Sequence, residues 1–163
     1  INPYGKTKLD TEFLAEKFSA VGSKIIGLRY FNVYGIGQTG SYAGVITKFM
    51  NALSEKKSPI IFGDGSQIRD FIFVKDVAKA NLSVMDSDIN STFLNVGTGK
   101  TISIKKLAEL MIQLYGLDFN PKFQNPLPGD VAESQAEITQ IKNLTGWKYE
   151  TELEDGLKSI INI

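Results

Sequence analysis

A tyrosine and a lysine four positions apart open this chain. Tyr4 and Lys8 lie in the stretch INPYGKTKLDTE, at the start of a predicted helix, where residues four apart share one face. An ammonium group beside a phenol stabilises the phenolate, so the tyrosine can act as a base closer to neutral pH. Enzymes that transfer a hydride from an alcohol carbon need such a base. The same spacing also arises by accident on amphipathic helices, so the motif alone leaves both interpretations open.

The composition narrows the chemistry. The 163 residues are 42% hydrophobic, which is enough for one domain with a packed core. The 18 basic and 18 acidic residues cancel, so we expect neither nucleic acid nor a membrane as a partner. The absence of Cys and His argues against a thiol nucleophile, a metal site and Ser-His hydrolysis. With no long apolar run and no signal-peptide layout, we expect a soluble, cytoplasmic protein.

Alternating helix and strand patterns predict an α/β protein. Helices are predicted at 6–21, 43–55, 103–115, 138–144 and 153–161, with a further helix that Asp76 caps and that runs to Met85, and strands at 24–32, 59–62, 67–74 and 92–96. The strand at 24–32 is a nearly continuous apolar run, which is typical of a strand buried on both faces of a parallel sheet. The segments 35–42 and 120–130 are predicted to be irregular, because glycine or proline is frequent in them.

The chain has no G-x-G-x-x-G turn, which doubly wound sheets place after their first strand. It opens on a helix and starts at Ile1, three residues before Tyr4, without an initiator Met. Two interpretations follow. The chain is either a small self-contained α/β domain or the second part of a longer protein, and the way it starts favours the latter.

Five motifs in a fixed order carry a resemblance to a known family. They are Y-x-x-x-K at 4–8, LRYFNVYG at 28–35, FGDGSQIRDFIFVKDVA at 62–78, FLNVGTG at 93–99 and PGD at 128–130. Together they resemble the C-terminal half of an extended short-chain dehydrogenase/reductase. Within that superfamily the chain is most similar to the NAD-dependent sugar-nucleotide epimerases, especially the UDP-glucose 4-epimerases. The resemblance runs over nearly the whole chain and implies that the glycine-rich turn lies upstream.

The resemblance also implies a domain organisation. The fold would be the C-terminal part of a Rossmann-like doubly wound sheet, with its last parallel strands, plus a small mixed α/β substrate-binding domain. Residues 1–35 would complete the NAD-binding domain, and 36–163 would mainly bind the sugar nucleotide, with 67–99 returning to the Rossmann sheet. Family members often form homodimers through a bundle that includes the Tyr/Lys helix. Leu9 and Phe13 are therefore expected to face either the core or a second copy.

The resemblance assigns a role to each matching residue. Tyr4 would take the proton of the sugar O4 while hydride passes from C4 to NAD, and Lys8 would hold the nicotinamide ribose. The 4-keto sugar would then turn over and take the hydride back on its other face. Cofactor binding is expected at Tyr4, Lys8, Tyr30 and Phe31. Substrate binding is expected at Asn32, Gly44, Val45, Ile46, Ile60, Ile61, Phe62, Arg69, Asp130 and Ser134.

Arg69 is the candidate for the diphosphate, because a fork of charged donors suits phosphate oxygens. The alternative is a structural ion pair of Arg69 with Asp70 or Asp76. For Phe31 the alternative is core packing, and for Asn32 it is a turn contact at the end of a strand.

Three positions depart from the family pattern. Leu127 stands where an arginine usually contacts a phosphate, Thr47 replaces a usual proline, and Glu137 replaces a usual aspartate. Losing the arginine is expected to weaken nucleotide binding by about 1.5–3 kcal/mol, unless Lys122 or another cation compensates.

Three functions remain open at this point. The first is a UDP-sugar 4-epimerase of the UDP-glucose/UDP-galactose type. The second is a nucleotide-sugar 4,6-dehydratase or decarboxylase of the same family, and the third is a non-catalytic module that binds a sugar nucleotide. We expect the 163-residue chain by itself to show no turnover and negligible NAD affinity.

Overall fold

The computed structural model describes residues 3–38 and 43–161, which form an α/β fold as predicted. The helices of the described part are α1 (Pro3–Ala20), α2 (Val45–Ser54), α3 (Val74–Met85), α4 (Ile104–Leu114), α5 (Thr139–Thr145) and α6 (Leu153–Ile161). The strands are β1 (Ile26–Tyr30), β2 (Asn32–Tyr34), β3 (Ile60–Phe62), β4 (Ile68–Arg69), β5 (Phe71–Phe73), β6 (Thr92–Val96), β7 (Ile102–Ser103), β8 (Lys122–Gln124) and β9 (Glu133–Ser134). Residues 39–42 of the predicted irregular segment lie outside the described residues.

Most strand pairs are parallel and join distant parts of the chain. Strand β1 pairs with β6, β2 with β5, and β3 with β8, all in parallel. Strand β4 lies between β7, which is antiparallel to it, and the parallel strand β9. Parallel neighbours need long crossover connections, and helices supply several of them here.

The two long predicted strands each divide into two, which corrects the sequence-based prediction. The segment 24–32 forms β1 and β2, because the chain changes partners at Phe31. The Phe31 amide donates to the Val96 carbonyl at 3.0 Å, and the Asn32 amide donates to the Asp70 carbonyl at 3.1 Å. The segment 67–74 divides at Asp70 into β4 and β5 for the same reason. The residues around Phe31 therefore join one pair of strands to the next.

Asp70 is a buried carboxylate that accepts hydrogen bonds from two other segments of the chain. It is 0% exposed. It accepts hydrogen bonds from the amides of Thr98 at 2.9 Å, Gly99 at 2.8 Å and Ala136 at 3.1 Å. The Thr98 hydroxyl donates to it at 2.7 Å. A buried carboxylate is stable only when such donors replace its hydration, so Asp70 is structural.

Asp76 does not cap its helix, so that prediction was wrong. Helix α3 begins two residues earlier, at Val74, and Asp76 lies in its first turn. Its carboxylate is buried and accepts the amides of Glu150 at 3.3 Å and Thr151 at 3.0 Å. The segment that leads into α6 packs on α3 and supplies these donors, an arrangement that no local sequence pattern reveals.

The core contains two hydrophobic clusters. The larger one lies between α2, α4 and α6 and includes Phe49, Leu53, Leu107, Met111 and Leu157. The predicted apolar face of α4 is buried there, and Ser103 begins the helix by accepting the Lys106 amide at 3.2 Å. The second cluster lies around β5 and β6 and includes Ile72, Leu94, Val96, Ile141 and Trp147.

The first helix and strand differ most from expectation. Strand β1 is half-buried to exposed instead of buried on both faces. Helix α1 buries no residue, and Leu9, Phe13, Leu14 and Phe18 are between 39% and 55% exposed. Arg29 of β1 holds α1 through two hydrogen bonds to Glu12, at 2.6 and 2.5 Å.

The segment 120–130, predicted to be irregular, contains β8, which pairs with β3. The side chains of β8 are all exposed, so no apolar pattern in the sequence indicates this strand. Within the part of the chain that the structure describes, no helix has the length and apolarity needed to cross a bilayer.

Candidate functional site

A cavity of about 250 Å³ lies against the first turns of α2, and we call it the α2 cavity. Its lining residues are Asn32, Val45, Lys48, Phe49, Ile60, Ile61, Phe62, Gln67, Arg69, Ile104, Leu127 and Asp130. The apolar members come chiefly from α2 and β3, and the polar members come from β2, α2, the β4 region and the PGD element. A cavity with one apolar side and a few grouped polar side chains suits a small ligand that has both a ring and charged groups.

Arg69 is the most enclosed cation of the α2 cavity. Its side chain is 13% exposed, and its Nη2 lies 2.6 Å from an Asp130 carboxylate oxygen. Its Nη1 also donates to the Ile68 carbonyl at 2.8 Å. Arg69 therefore pairs with Asp130 instead of Asp70 or Asp76, the partners considered from the sequence.

Gln67 positions the same carboxylate from the other side. Its amide donates to Asp130 at 3.2 Å and to the Phe62 carbonyl at 2.9 Å. Residues two apart in an extended segment share a face, so Gln67 and Arg69 reach the cavity together. Gln67 was not among the predicted site residues, although its spacing from Arg69 was a signal for it.

Several predicted substrate residues meet in this cavity, and others do not. Asn32, Val45, Ile60, Ile61, Phe62, Arg69 and Asp130 all line it. Ile46 is 3% exposed and packs in the core instead. The Gly44 amide donates to Gln38 at 3.4 Å, and Ser134 pairs with Arg69 through the backbone. Neither Gly44 nor Ser134 belongs to the lining.

Lys48 and Phe49 line the cavity although the sequence analysis did not select them. Both lie three or four residues after Val45 on α2, and helical spacing places such residues on the same face. The signal was therefore present in the sequence once Val45 had been chosen.

A second cavity, of about 530 Å³, lies between α1 and β1, and we call it the α1 cavity. Tyr4, Lys8 and Tyr30 line it together with Glu12 and Arg29. The Lys8 ammonium lies over the Tyr4 ring, 5.3 Å from its centroid, so the two residues do share a face. Tyr4 is 70% exposed, which leaves its hydroxyl accessible to a ligand.

The segment from Tyr30 to Asn32 joins the two cavities. Tyr30 ends β1 and lines the α1 cavity, while Asn32 begins β2 and lines the α2 cavity. The Asn32 side-chain amide donates to the Asp70 carbonyl at 2.8 Å, which fixes its orientation. Phe31 lines neither cavity. The carboxyl end of a parallel strand is where open α/β sheets bind ligands.

The residues that depart from the family pattern have visible partners. The Thr47 hydroxyl donates to Gln38 at 2.9 Å. The Thr139 amide donates to Glu137 at 2.8 Å, and the Thr139 side chain together with this amide lowers the pKa of Glu137. Lys122 lies on β8 and is not among the residues that line the α2 cavity, while Leu127 adds to the apolar lining.

The described residues contain no cluster of acidic side chains that could hold a metal ion.

Comparison with known proteins identifies relatives of this chain. The chain is 36% identical over 168 residues to a putative UDP-glucose 4-epimerase of Methanocaldococcus jannaschii, covering 99% of this chain and 53% of that protein. It is 28% identical to a UDP-N-acetyl-alpha-D-glucosaminuronate decarboxylase of Bacillus cytotoxicus, covering 97% of this chain and 51% of that protein. The chain thus spans about half the length of the curated relatives it matches.

The structural comparison gives the same result. The crystal structure of the UDP-glucose 4-epimerase of Thermotoga maritima with UDP-glucose matches with a TM-score of 0.95 and 37% identity. The match covers 99% of this chain and 53% of that one. The model of the NAD-dependent epimerase/dehydratase family matches residues 1–97, which is more than half of the chain. With its fold, its Tyr/Lys pair and this match, the chain belongs to the NAD-dependent epimerase/dehydratase family.

Proposed function

We propose that this chain carries the catalytic pair and the substrate cavity of an epimerase that inverts C4 of a UDP-sugar of the UDP-glucose/UDP-galactose type, through a transient 4-keto sugar. One observation carries the proposal: Tyr30 and Asn32, two residues apart, line the cavity of the Tyr4/Lys8 pair and the cavity of Arg69. A nucleotide held by Arg69 would extend its sugar along this segment toward Tyr4.

The α1 cavity has the donors that a nicotinamide ribose requires. Lys8 makes no ion pair with any carboxylate among the described residues, and the exposed Tyr4 hydroxyl lies on the same face of α1. Together they offer an ammonium and a phenol to ribose hydroxyls, so the donor set fits the family's NAD. Bound NAD would accept the hydride from C4 of the sugar and return it.

The chain's own residues would handle the proton and the substrate. Tyr4 would remove the proton of the C4 hydroxyl, and the charge of Lys8 would stabilise the resulting phenolate. After the 4-keto sugar has turned, Tyr4 would give the proton back to O4. Arg69 and Asn32 would hold the diphosphate during this rotation, so that the sugar can move while the nucleotide stays in place.

The proposal includes one statement about the chain alone and one about a dimer. The chain contains no glycine-rich dinucleotide turn, so we expect the 163 residues alone to bind NAD negligibly and to show no turnover. A homodimer through α1 would cover Leu9, Phe13, Leu14 and Phe18, whose exposure supports such an interface.

A second candidate function is a nucleotide-sugar decarboxylase or dehydratase. The decarboxylase of Bacillus cytotoxicus, which aligns over nearly the whole chain, favours it. A non-catalytic binding module is the third, and the α2 cavity would serve it equally well. All three would use the same nucleotide cavity and would differ in what happens to the sugar.

Proton NMR of the full-length gene product with UDP-glucose, UDP-N-acetylglucosamine and UDP-glucuronate, without added NAD, tests the proposal. We expect a new anomeric signal from the C4 epimer of one of these sugars. A 6-deoxy methyl signal or released carbon dioxide would assign the protein to the dehydratases or decarboxylases instead. No conversion of any of the three would contradict the epimerase proposal.

A further inference from the structure

The α2 cavity is lined by more positively than negatively charged side chains. Its lining contains two cations, Arg69 and Lys48, and one carboxylate, Asp130. Arg69 and Asp130 form an ion pair at 2.6 Å, so within the cavity each largely offsets the other. Lys48 forms no ion pair with any carboxylate of the described residues, and its ammonium group therefore remains available.

The position of Lys48 makes its ammonium group accessible to a ligand in the cavity. It lies one turn into α2, where its backbone amide donates to the Gly44 carbonyl at 3.1 Å, so the helix fixes its backbone. Its side chain is exposed, so it can extend over the cavity opening while its ammonium group stays in contact with water. Phe49 beside it is 1% exposed and holds this turn of the helix against the core.

An anionic ligand would meet an unfavourable contact without Lys48. A diphosphate that approaches Arg69 also approaches the Asp130 carboxylate, and the repulsion of like charges reduces what Arg69 alone can contribute. An unpaired ammonium at the rim supplies the net positive charge that the Arg69–Asp130 pair lacks. The remaining lining is largely apolar and suits a ring, so the charge is directed at the phosphates and not at the base.

We propose that Lys48 is a second phosphate-binding cation of the α2 cavity, beside Arg69, and that it contacts the diphosphate of the nucleotide sugar. This rests on the proposed function, since it assumes that the cavity holds a nucleoside diphosphate. Lys48 is a binding residue under this proposal and takes no part in the hydride or proton transfer at Tyr4.

Titration calorimetry of the full-length gene product with UDP and with uridine tests the role of Lys48. Because uridine has no phosphate, Lys48→Met should weaken UDP binding about tenfold or more and change uridine binding by less than about twofold. Lys48→Arg should restore most of the UDP affinity. Raising the salt concentration should narrow the difference between wild type and Lys48→Met, because ions screen an exposed charge.

Lys106→Met is the matched control, because Lys106 is exposed on α4 and lines neither cavity. This control should leave both affinities unchanged. If Lys48→Met leaves UDP binding intact, or weakens UDP and uridine equally, the role of Lys48 is wrong while the proposed function stands. UDP-glucuronate is titrated as a third ligand, and a loss of affinity seen only with it would likewise overturn the phosphate assignment, since it would point to the sugar carboxylate. If the wild-type protein binds no UDP at all, the proposed function fails together with it.

Discussion

At the scale of single residues, Tyr4 and Arg69 illustrate two different kinds of site. Tyr4 is 70% exposed beside a lysine that makes no ion pair within the described residues, so it is free to meet a ligand. Arg69 is enclosed, and its charge is already matched by Asp130. The first arrangement suits proton transfer and the second suits positioning, and a substitution at each should affect different measurements.

Replacing Tyr4 by Phe should stop epimerisation and leave nucleotide binding nearly intact. The phenol oxygen is the proposed base, and removing such a group lowers a rate by about 10²–10⁴-fold. NMR measures the rate at which each protein converts the UDP-sugar, and calorimetry measures its affinity for UDP. Tyr149→Phe is a suitable control, since Tyr149 lines neither of the two cavities. A Tyr4→Phe protein that keeps more than a few per cent of the wild-type rate would show that Tyr4 is not the base.

Contacts between residues that are close in sequence could be predicted, and contacts between distant residues could not. The Tyr4/Lys8 geometry follows from helical spacing alone. The partner of Arg69 is 61 residues away, and the donors to Asp76 are 74 and 75 residues away. No periodicity connects such positions, so the sequence suggested nearer carboxylates for Arg69 and a local capping role for Asp76.

At the scale of elements, helix α6 packs on β2 through a very close contact. A Cβ added at Gly156 would lie 2.0 Å from the Tyr34 hydroxyl oxygen, so only a glycine fits there. The Tyr34 hydroxyl donates to the Leu153 carbonyl at 3.4 Å, and burial raises the pKa of this tyrosine, a shift to which the negative charge of Asp76 adds. The contact joins the last helix to the strand that carries Asn32.

Gly156→Ala should therefore destabilise the protein by about 1–3 kcal/mol, because overpacking forces the helix or the ring to move. Chemical denaturation of wild type and variant gives the difference in free energy of unfolding. Combining it with Tyr34→Phe removes the nearest atom, so the double variant should lose less than the sum of the two single variants. Strictly additive losses would show that the two residues do not clash.

Element types were easier to predict than their ends. Helix α4 has a continuous apolar face and was predicted nearly to the residue. Strands β1 and β2 were predicted as one, because the change of partner at Phe31 leaves the apolar run uninterrupted. Strand β8 was missed, because its residues are exposed and it owes its extended shape to hydrogen bonds with β3.

At the scale of the whole molecule, α1 is the least integrated element. It buries no side chain in the described structure and is held to β1 by the ion pair of Glu12 and Arg29. The hydrogen bonds from Arg29 lower the pKa of Glu12 below its ordinary value of 4.5, and the pairing raises the pKa of Arg29. This contact links the catalytic candidates Tyr4 and Lys8 to the rest of the fold.

The attachment of α1 should weaken in acid. A carboxylate with a lowered pKa in the folded state contributes stability above its unfolded pKa, and that stability is lost as the pH falls through the folded pKa. Amide hydrogen exchange in α1 should therefore speed up as the pH is lowered below about 4.5, relative to unstructured peptide at the same pH. Glu12→Gln should speed up amide hydrogen exchange in α1 already at pH 7, corresponding to a loss of about 0.5–1 kcal/mol in the free energy of opening of α1. If wild type and Glu12→Gln show equal protection at pH 7, the ion pair does not hold α1.

The family and the α/β class could be recognised from motifs along the whole chain, whereas the arrangement of the sheets could not. The division into a part for NAD, at 1–35, and a part for the substrate, at 36–163, stays a prediction. Pairing of short parallel strands depends on which distant segments meet, and strands of two or three residues contain too little pattern to specify a partner.

The pairing of β1 with β6 has a consequence for folding during synthesis on the ribosome. Ile26 lies opposite Thr92, so β1 leaves the exit tunnel 66 residues before β6. At about 5–20 residues per second, roughly 3–13 s pass before β6 can pair with β1. During that interval the edge of β1 that β6 later occupies is open to other strands, and slower translation between the two strands would lengthen it.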